Sequence, residues 1–252
     1  MNIRSFFPTR HTYNDIPVRF HQEGQQTLSL VDLDLIEHFL QADEATLLQR
    51  TLSPAEQCYF QRFKYIKRKK EWLGGRLAAK AAILNFTDNQ DLRSITILPN
   101  KHGRPLAEEL PAPLSALGNE PTISISHSDC FAVALARARS ISQSSCGVDL
   151  QEISTKLAGL TSHFATDAEL QLLAEQTDYD EDTRLTMLWT VKEALKKALL
   201  HDQSVIFSAT ELQEIAVVSD SVQRFTCTVQ GKTQSVLVFP LPPYILSITE
   251  DH

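Results

Sequence analysis

The chain has 252 residues, 42% of them hydrophobic and 22% charged, with a formal net charge of -7. That composition excludes a disordered chain, and no apolar run reaches the roughly 18 residues that a membrane span needs. The acidic balance argues against a nucleic-acid or membrane surface, and the length suits one large domain or two smaller ones.

The N-terminus carries Phe6-Phe7 followed at once by Pro8, without the apolar core of a secretory signal, so a cytoplasmic protein is expected. Cys58, Cys130, Cys146 and Cys227 lie far apart, which predicts reduced, structural thiols and neither a zinc site nor a disulfide framework. Strands are predicted at 16–20 and 27–33, and Ser53-Pro54-Ala55-Glu56 reads as a helix start with proline at the first position. A long helical region is expected over 59–84, where Phe63, Ile66, Leu73, Leu77, Ala81 and Leu84 recur at helical spacings around Gly74-Gly75.

Within that region Lys64, Lys67, Arg68, Lys69 and Lys70 form a basic cluster in an otherwise acidic chain, either a solvated helix face or a site for a polyanion. A strand is predicted at 94–98, an exposed turn at Lys101-His102-Gly103-Arg104-Pro105, and strands at 122–126 and 131–136 joined by His127-Ser128-Asp129. The small polar residues 140–145 form a candidate linker. A short strand ending near Asp149, a helix over 183–200, a strand at 214–218, a hairpin around Gly231-Lys232 and a last strand at 244–249 follow. Helices and hairpin-type strands mix in each half, so the fold class expected is α+β, with an N-terminal half over 1–140 and a C-terminal half over 141–252. No internal repeat is visible.

The helix over 183–200 is the most informative element. At about 100° per residue, Leu185, Leu188, Leu195 and Leu199 share an apolar arc, and Lys192 falls inside it. Lys192 therefore either snorkels past its leucines or waits for a buried anion. Glu193 and Lys197 stand one turn apart near Trp189, either as an ordinary exposed pair or as part of a metal and phosphate site. A serine hydrolase is a poor fit without a G-x-S-x-G elbow, and a zinc hydrolase without H-E-x-x-H. Taken together, the basic helix, the Gly103-Arg104-Pro105 turn, the Ser126-His127-Ser128 turn, Asp149 and the Lys192-Glu193-x3-Lys197 helix supply the parts of phosphoryl transfer.

Several blocks in this order resemble the Sfp-type 4'-phosphopantetheinyl transferases of the W/KEA-like subgroup. They are the helix from Lys69 through Gly74-Gly75-Arg76 to Ala81, Gly103-Arg104-Pro105, Ile123-Ser124-Ile125-Ser126-His127-Ser128, Gly147-Val148-Asp149-Leu150-Gln151, Phe164-x4-Glu169 and Trp189-x2-Lys192-Glu193-Ala194-x2-Lys197. The resemblance runs from about Ser53 to Leu200. It implies two similar α/β-sandwich halves in one monomeric chain, with the active site between them. The implied reaction moves the phosphopantetheine arm of coenzyme A onto a serine of an apo acyl or peptidyl carrier protein, with magnesium, releasing 3',5'-ADP. Carriers of fatty-acid, polyketide or nonribosomal-peptide synthesis all fall within that range.

Carried over by position, Asp149 and Glu193 would bind magnesium, Glu193 would also take the serine proton, and Lys197 would stabilise the transferring phosphate. Lys192 would contact the diphosphate, and Arg104, Ser126 and His127 would hold the nucleotide phosphates. Arg68 is the expected basic contact on the first helix, although register does not choose among Arg62, Lys64, Lys67 and Arg68. Lys196 is left to solvent and Trp189 to packing. Gln151 stands where many members have a second acid, so it would offer at most a neutral carbonyl. The competing readings are a non-catalytic module that binds coenzyme A or a carrier protein, and an enzyme restricted to the primary fatty-acid carrier.

Overall fold

The structure is a computed structural model and describes residues 1–87, 89–110, 121–138, 145–200 and 209–250. The expected linker at 140–145 lies outside the described residues except for Ser145, and so does the boundary between 140 and 141. Contacts divide the chain into two compact units, Phe7–Ser145 in one and Met1–Phe6 with Cys146–His252 in the other. Helix and antiparallel sheet mix in both, as the α+β expectation has it. No helix among the described residues is long and apolar enough to cross a membrane.

In the unit Phe7–Ser145, β1 (Thr9–Tyr13), β2 (Ile16–Glu23), β3 (Gln26–Asp32), β7 (Phe131–Arg137) and β6 (Thr122–His127) form one sheet in the order β1-β2-β3-β7-β6. Asn14 and Asp15 take positive φ between β1 and β2, as a tight hairpin turn requires. β7 is buried along its length between β3 and β6. On this sheet packs α4 (Ile66–Leu84), preceded by α2 (Leu33–Thr51) and α3 (Pro54–Phe60), with the ribbon β4 (Thr96–Pro99) and β5 (Pro105–Glu109) beyond it.

The helical region expected over 59–84 is broken. A capping box of Ser53 and Glu56 starts α3, which ends at Phe60, and α4 begins after Tyr65 with no side-chain cap. The helix α2 has no expectation behind it. Its mid-helix Asp43 departs from helical backbone (φ -160°, ψ 85°), and the apolar spacing breaks there.

The other unit holds α1 (Ile3–Phe6), β8 (Val148–Glu152), α5 (Thr161–Phe164), α6 (Asp167–Gln176), α7 (Glu181–Leu199), β9 (Thr210–Ser219), β10 (Val222–Val229), β11 (Lys232–Leu241) and β12 (Tyr244–Thr249). Its sheet runs β8-β12-β11-β10-β9. Every second residue of β10 is buried, so one face meets the core and the other faces out. The hairpin closes at Gln230 and Gly231, both at positive φ. Leu185, Leu188, Val191 and Leu195 of α7 join Phe225, Val236 and Ile245 of the strands in a single core cluster.

Candidate active site

Gly147 decides how β8 meets α7. A Cβ built on it would lie 1.9 Å from the Ala194 carbonyl oxygen, so only glycine lets the strand start directly on the helix backbone. Two residues on, Asp149 is 6% exposed, and its Oδ1 accepts from Lys197 Nζ at 2.6 Å. The same ammonium donates to the Val148 carbonyl at 3.1 Å. One turn earlier on α7, Glu193 accepts from Lys196 Nζ at 3.2 Å. Lys196, expected in solvent, is 33% exposed and spends its ammonium on that carboxylate. It lies three residues from Glu193 on the same helix, within reach of that carboxylate. Gln151 sits two residues beyond Asp149 on β8 and shares its face.

Lys192 is corrected more sharply. It is 1% exposed, and its Nζ lies 2.7 Å from Glu169 Oε1 and 2.9 Å from Oε2. Glu169 is held in turn by the backbone N–H of Thr166, whose capping box starts α6, and by the N–H of Leu212 at 2.9 Å. The apolar arc did carry the lysine inward, but a carboxylate of the same unit meets it there. It neither snorkels nor reaches toward a diphosphate. The sequence signal for this partner is Thr166-x-x-Glu169, a capping-box pattern whose acid is buried. Beside the pair, burial pushes the Cys227 thiol up to about 12, and none of the four cysteines forms a disulfide.

The unit Phe7–Ser145 contains a hollow of about 380 Å³. Its wall is formed by Tyr59, Phe63, Arg68, Glu71, Trp72, Arg76, Pro99, Gly103, Pro105, Ile125 and His127. Glycine again sets the approach, since a Cβ on Gly75 would come within 2.8 Å of Ile125 Cγ2 and hold α4 away from β6. Of the four candidate cations Arg68 lines the hollow. Lys67 is bound to Asp129 at 3.0 Å, and the Arg62 guanidinium lies 4.6 Å over the Tyr59 ring. His127 is exposed at the end of β6 and lines the hollow with Ile125, whereas Ser126 is buried on the opposite strand face, away from it. The backbone of Arg104 is tied to Asn100, and Gly103 and Pro105 on either side of it reach the wall.

Arg76 has no role assigned from sequence, yet it belongs to this wall. Its guanidinium lies 4.7 Å over the Trp72 ring and donates through Nε to the Ile97 carbonyl at 3.3 Å. Burial pulls its pKa down to about 10, so it stays cationic near neutrality. The Gly74-Gly75 pair directly before it was the available signal. The Tyr59 and Trp72 rings are stacked at 5.6 Å with an interplanar angle of 16°. The hollow therefore combines flat aromatic surface with positive charge.

Residues 145–247, which contain Asp149, Glu193 and Lys197, match the family model of the 4'-phosphopantetheinyl transferase superfamily. The match covers less than half of the chain and, but for Ser145, falls within the unit that carries those three residues. Similar solved structures include a holo-(acyl-carrier-protein) synthase from Bacillus anthracis str. Ames in complex with CoA (3',5'-ADP), 24% identical, covering 46% of this chain and 96% of that one at a TM-score of 0.40. The holo-[acyl-carrier-protein] synthase of Neisseria meningitidis is 22% identical over 46% of this chain and 98% of its own, at 0.41. That of Plasmodium yoelii is 22% identical over 47% and 95%, at 0.40. No curated protein matches the chain.

Proposed function

We propose that the chain transfers the 4'-phosphopantetheine arm of coenzyme A to a serine hydroxyl of an apo acyl or peptidyl carrier protein. The observation that carries this reading is the contact of Asp149 with Lys197, one turn from Glu193, inside the region that matches the superfamily. In the balanced step, the serine oxygen bonds to the phosphorus of the phosphopantetheine phosphate. The bond from that phosphorus to the bridging oxygen breaks, 3',5'-ADP leaves, and the serine proton passes to the Glu193 carboxylate. Lys197 uses two of its three N–H donors on Asp149 and Val148. The third would meet a phosphate oxygen where negative charge develops.

Carboxylate oxygens suit a hard divalent cation such as magnesium, and Asp149 and Glu193 would hold it. Among the described residues no cluster of three metal-ligating side chains exists, so phosphate oxygens and water would complete the shell. When bound, the ion would neutralise diphosphate charge. Taken by itself, the hollow of the unit Phe7–Ser145 would suit a nucleotide, with Arg68, Arg76 and His127 on its phosphates. The test is to mix folded protein with coenzyme A, magnesium and apo-carrier proteins and to weigh the carriers. A phosphopantetheine adduct on a serine is expected. Binding of coenzyme A with no adduct on any carrier would leave the chain a binding module.

A further inference from the structure

Glu71 is an acid in a wall otherwise suited to anions. It sits on α4, is 6% exposed, and its Oε2 accepts from Arg68 Nη1 at 3.0 Å. Among the described residues its Oε1 makes no hydrogen bond, and the Lys67 ammonium stands 3.9 Å from it, beyond hydrogen-bond reach. A carboxylate in this wall repels a ligand that is only an anion, and its second oxygen is available to accept from a donor that enters the hollow. A ligand with phosphates at one end and a flat, amino-bearing ring at the other resolves both features. The phosphates suit Arg68, Arg76 and His127, while the ring suits the aromatic surface of Tyr59 and Trp72.

We infer that Glu71 is a specificity residue that reads the base, its Oε1 accepting an N–H from the exocyclic amine of a 6-aminopurine. A 6-oxopurine turns a carbonyl oxygen toward the same carboxylate, so two acceptors face each other and binding suffers. This inference rests on the proposed role of the hollow as a nucleotide site. It adds to that role a discrimination that phosphate contacts do not supply.

The experiment is calorimetric binding of adenosine 3',5'-bisphosphate and inosine 3',5'-bisphosphate to the full chain. Wild type is expected to favour the amino ligand by about tenfold or more, as a site built around one hydrogen bond does. Glu71→Gln, whose amide offers N–H to the oxo group as readily as oxygen to the amine, should bring the two affinities within about threefold. Arg68→Ala should weaken both ligands alike and keep the preference. If Glu71→Gln fails to fold, Glu71→Asp, which draws the carboxylate back by one methylene, should shrink the preference instead. Equal binding of the two ligands by wild type overturns the inference and leaves the nucleotide site standing. A Glu71→Gln protein that loses both equally overturns it too, making Glu71 only a support for Arg68. Binding of neither ligand by folded wild type overturns the nucleotide reading, and this inference with it.

Discussion

In the unit Phe7–Ser145, Glu56 is the third residue of the capping box that opens α3, and it meets Lys80 of α4 in a pair with neither side chain exposed. In the other unit Glu169 holds the same place in the box that opens α6 and meets Lys192 of α7, the two side chains 1% and 2% exposed. Each glutamate also accepts a backbone N–H from a strand beyond the long helix, Ile97 at 3.0 Å in one unit and Leu212 at 2.9 Å in the other. The strand before the helices pairs with the last strand in both, and the last with its predecessor, as β3-β7-β6 and β8-β12-β11.

The two units share one scaffold and differ in what stands on it. One residue past the buried lysine lies Ala81 in one unit and Glu193 in the other, and five past it lie Asn85 and Lys197. Asn85 donates to Thr27 on β3 at 3.2 Å where Lys197 donates to Asp149 on β8. Lys192, although embedded in the motif, therefore belongs to the scaffold, and the groups proposed to react are its neighbours.

The comparison breaks most visibly at the two buried pairs. Lys80→Met and Lys192→Met should each cost about 3–5 kcal/mol of stability, because each leaves a buried carboxylate without its cation. Urea denaturation measures this, and adding Glu56→Gln or Glu169→Gln should recover part of the loss. A Lys192→Met protein of unchanged stability but lost transfer would return Lys192 to the phosphates. Next in size, Asp149→Ala and Glu193→Ala should lower transfer by about 10²-fold to 10³-fold at unchanged melting temperature. Asn85→Ala, the counterpart position, should leave the rate within about twofold.

The glycines come third. Gly147→Ala drives a methyl into a backbone oxygen and should cost up to about 3 kcal/mol, whereas at Gly75 the obstacle is a side-chain methyl that can shift, so the cost should be nearer 1 kcal/mol. Alkaline pH gives the smallest and most graded difference. Burial holds the proton on Cys227 up to about 12 against an ordinary 9.0, and on Tyr13 up to about 12 against 10.0. The folded chain thus binds more protons than the unfolded one in that window, and stability falls as pH rises past about 9. Cys227→Ala should flatten the fall from pH 9 and Tyr13→Phe from pH 10, as denaturation midpoints across that range would show.

What the sequence discloses follows the distance over which each feature is built. Glu193 and Lys197 share one helix, and the Gly147-to-Gln151 block is short, so periodicity and motif suffice for them. The partner of Lys192 lies 23 residues away, and the arc alone says only that the lysine points inward. Period-two alternation along β6 separates Ser126 from His127, yet a motif that names them together hides that they face opposite ways. The hollow draws on α3, α4, the turn at Gly103 and β6, so Glu71 and Arg76 acquire meaning only once those elements pack. The shared scaffold escapes inspection for a related reason. It rests on capping boxes and two buried pairs, spaced 24 residues in one unit and 23 in the other, while the residues around them diverge.

The chain has two tryptophans, and each unit owns one. Trp72 lines the hollow under the Arg76 guanidinium, whereas Trp189 meets Phe164 edge-on at 5.3 Å. The molecule therefore carries its own pair of optical gauges. In a Trp189→Phe variant the ultraviolet emission comes from the wall of the hollow alone, and a base settling on that wall registers as quenching without any added dye. In a Trp72→Phe variant the remaining emission follows α7 as denaturant rises. Changes at the hollow of one unit and melting of the other can then be watched separately in the same chain.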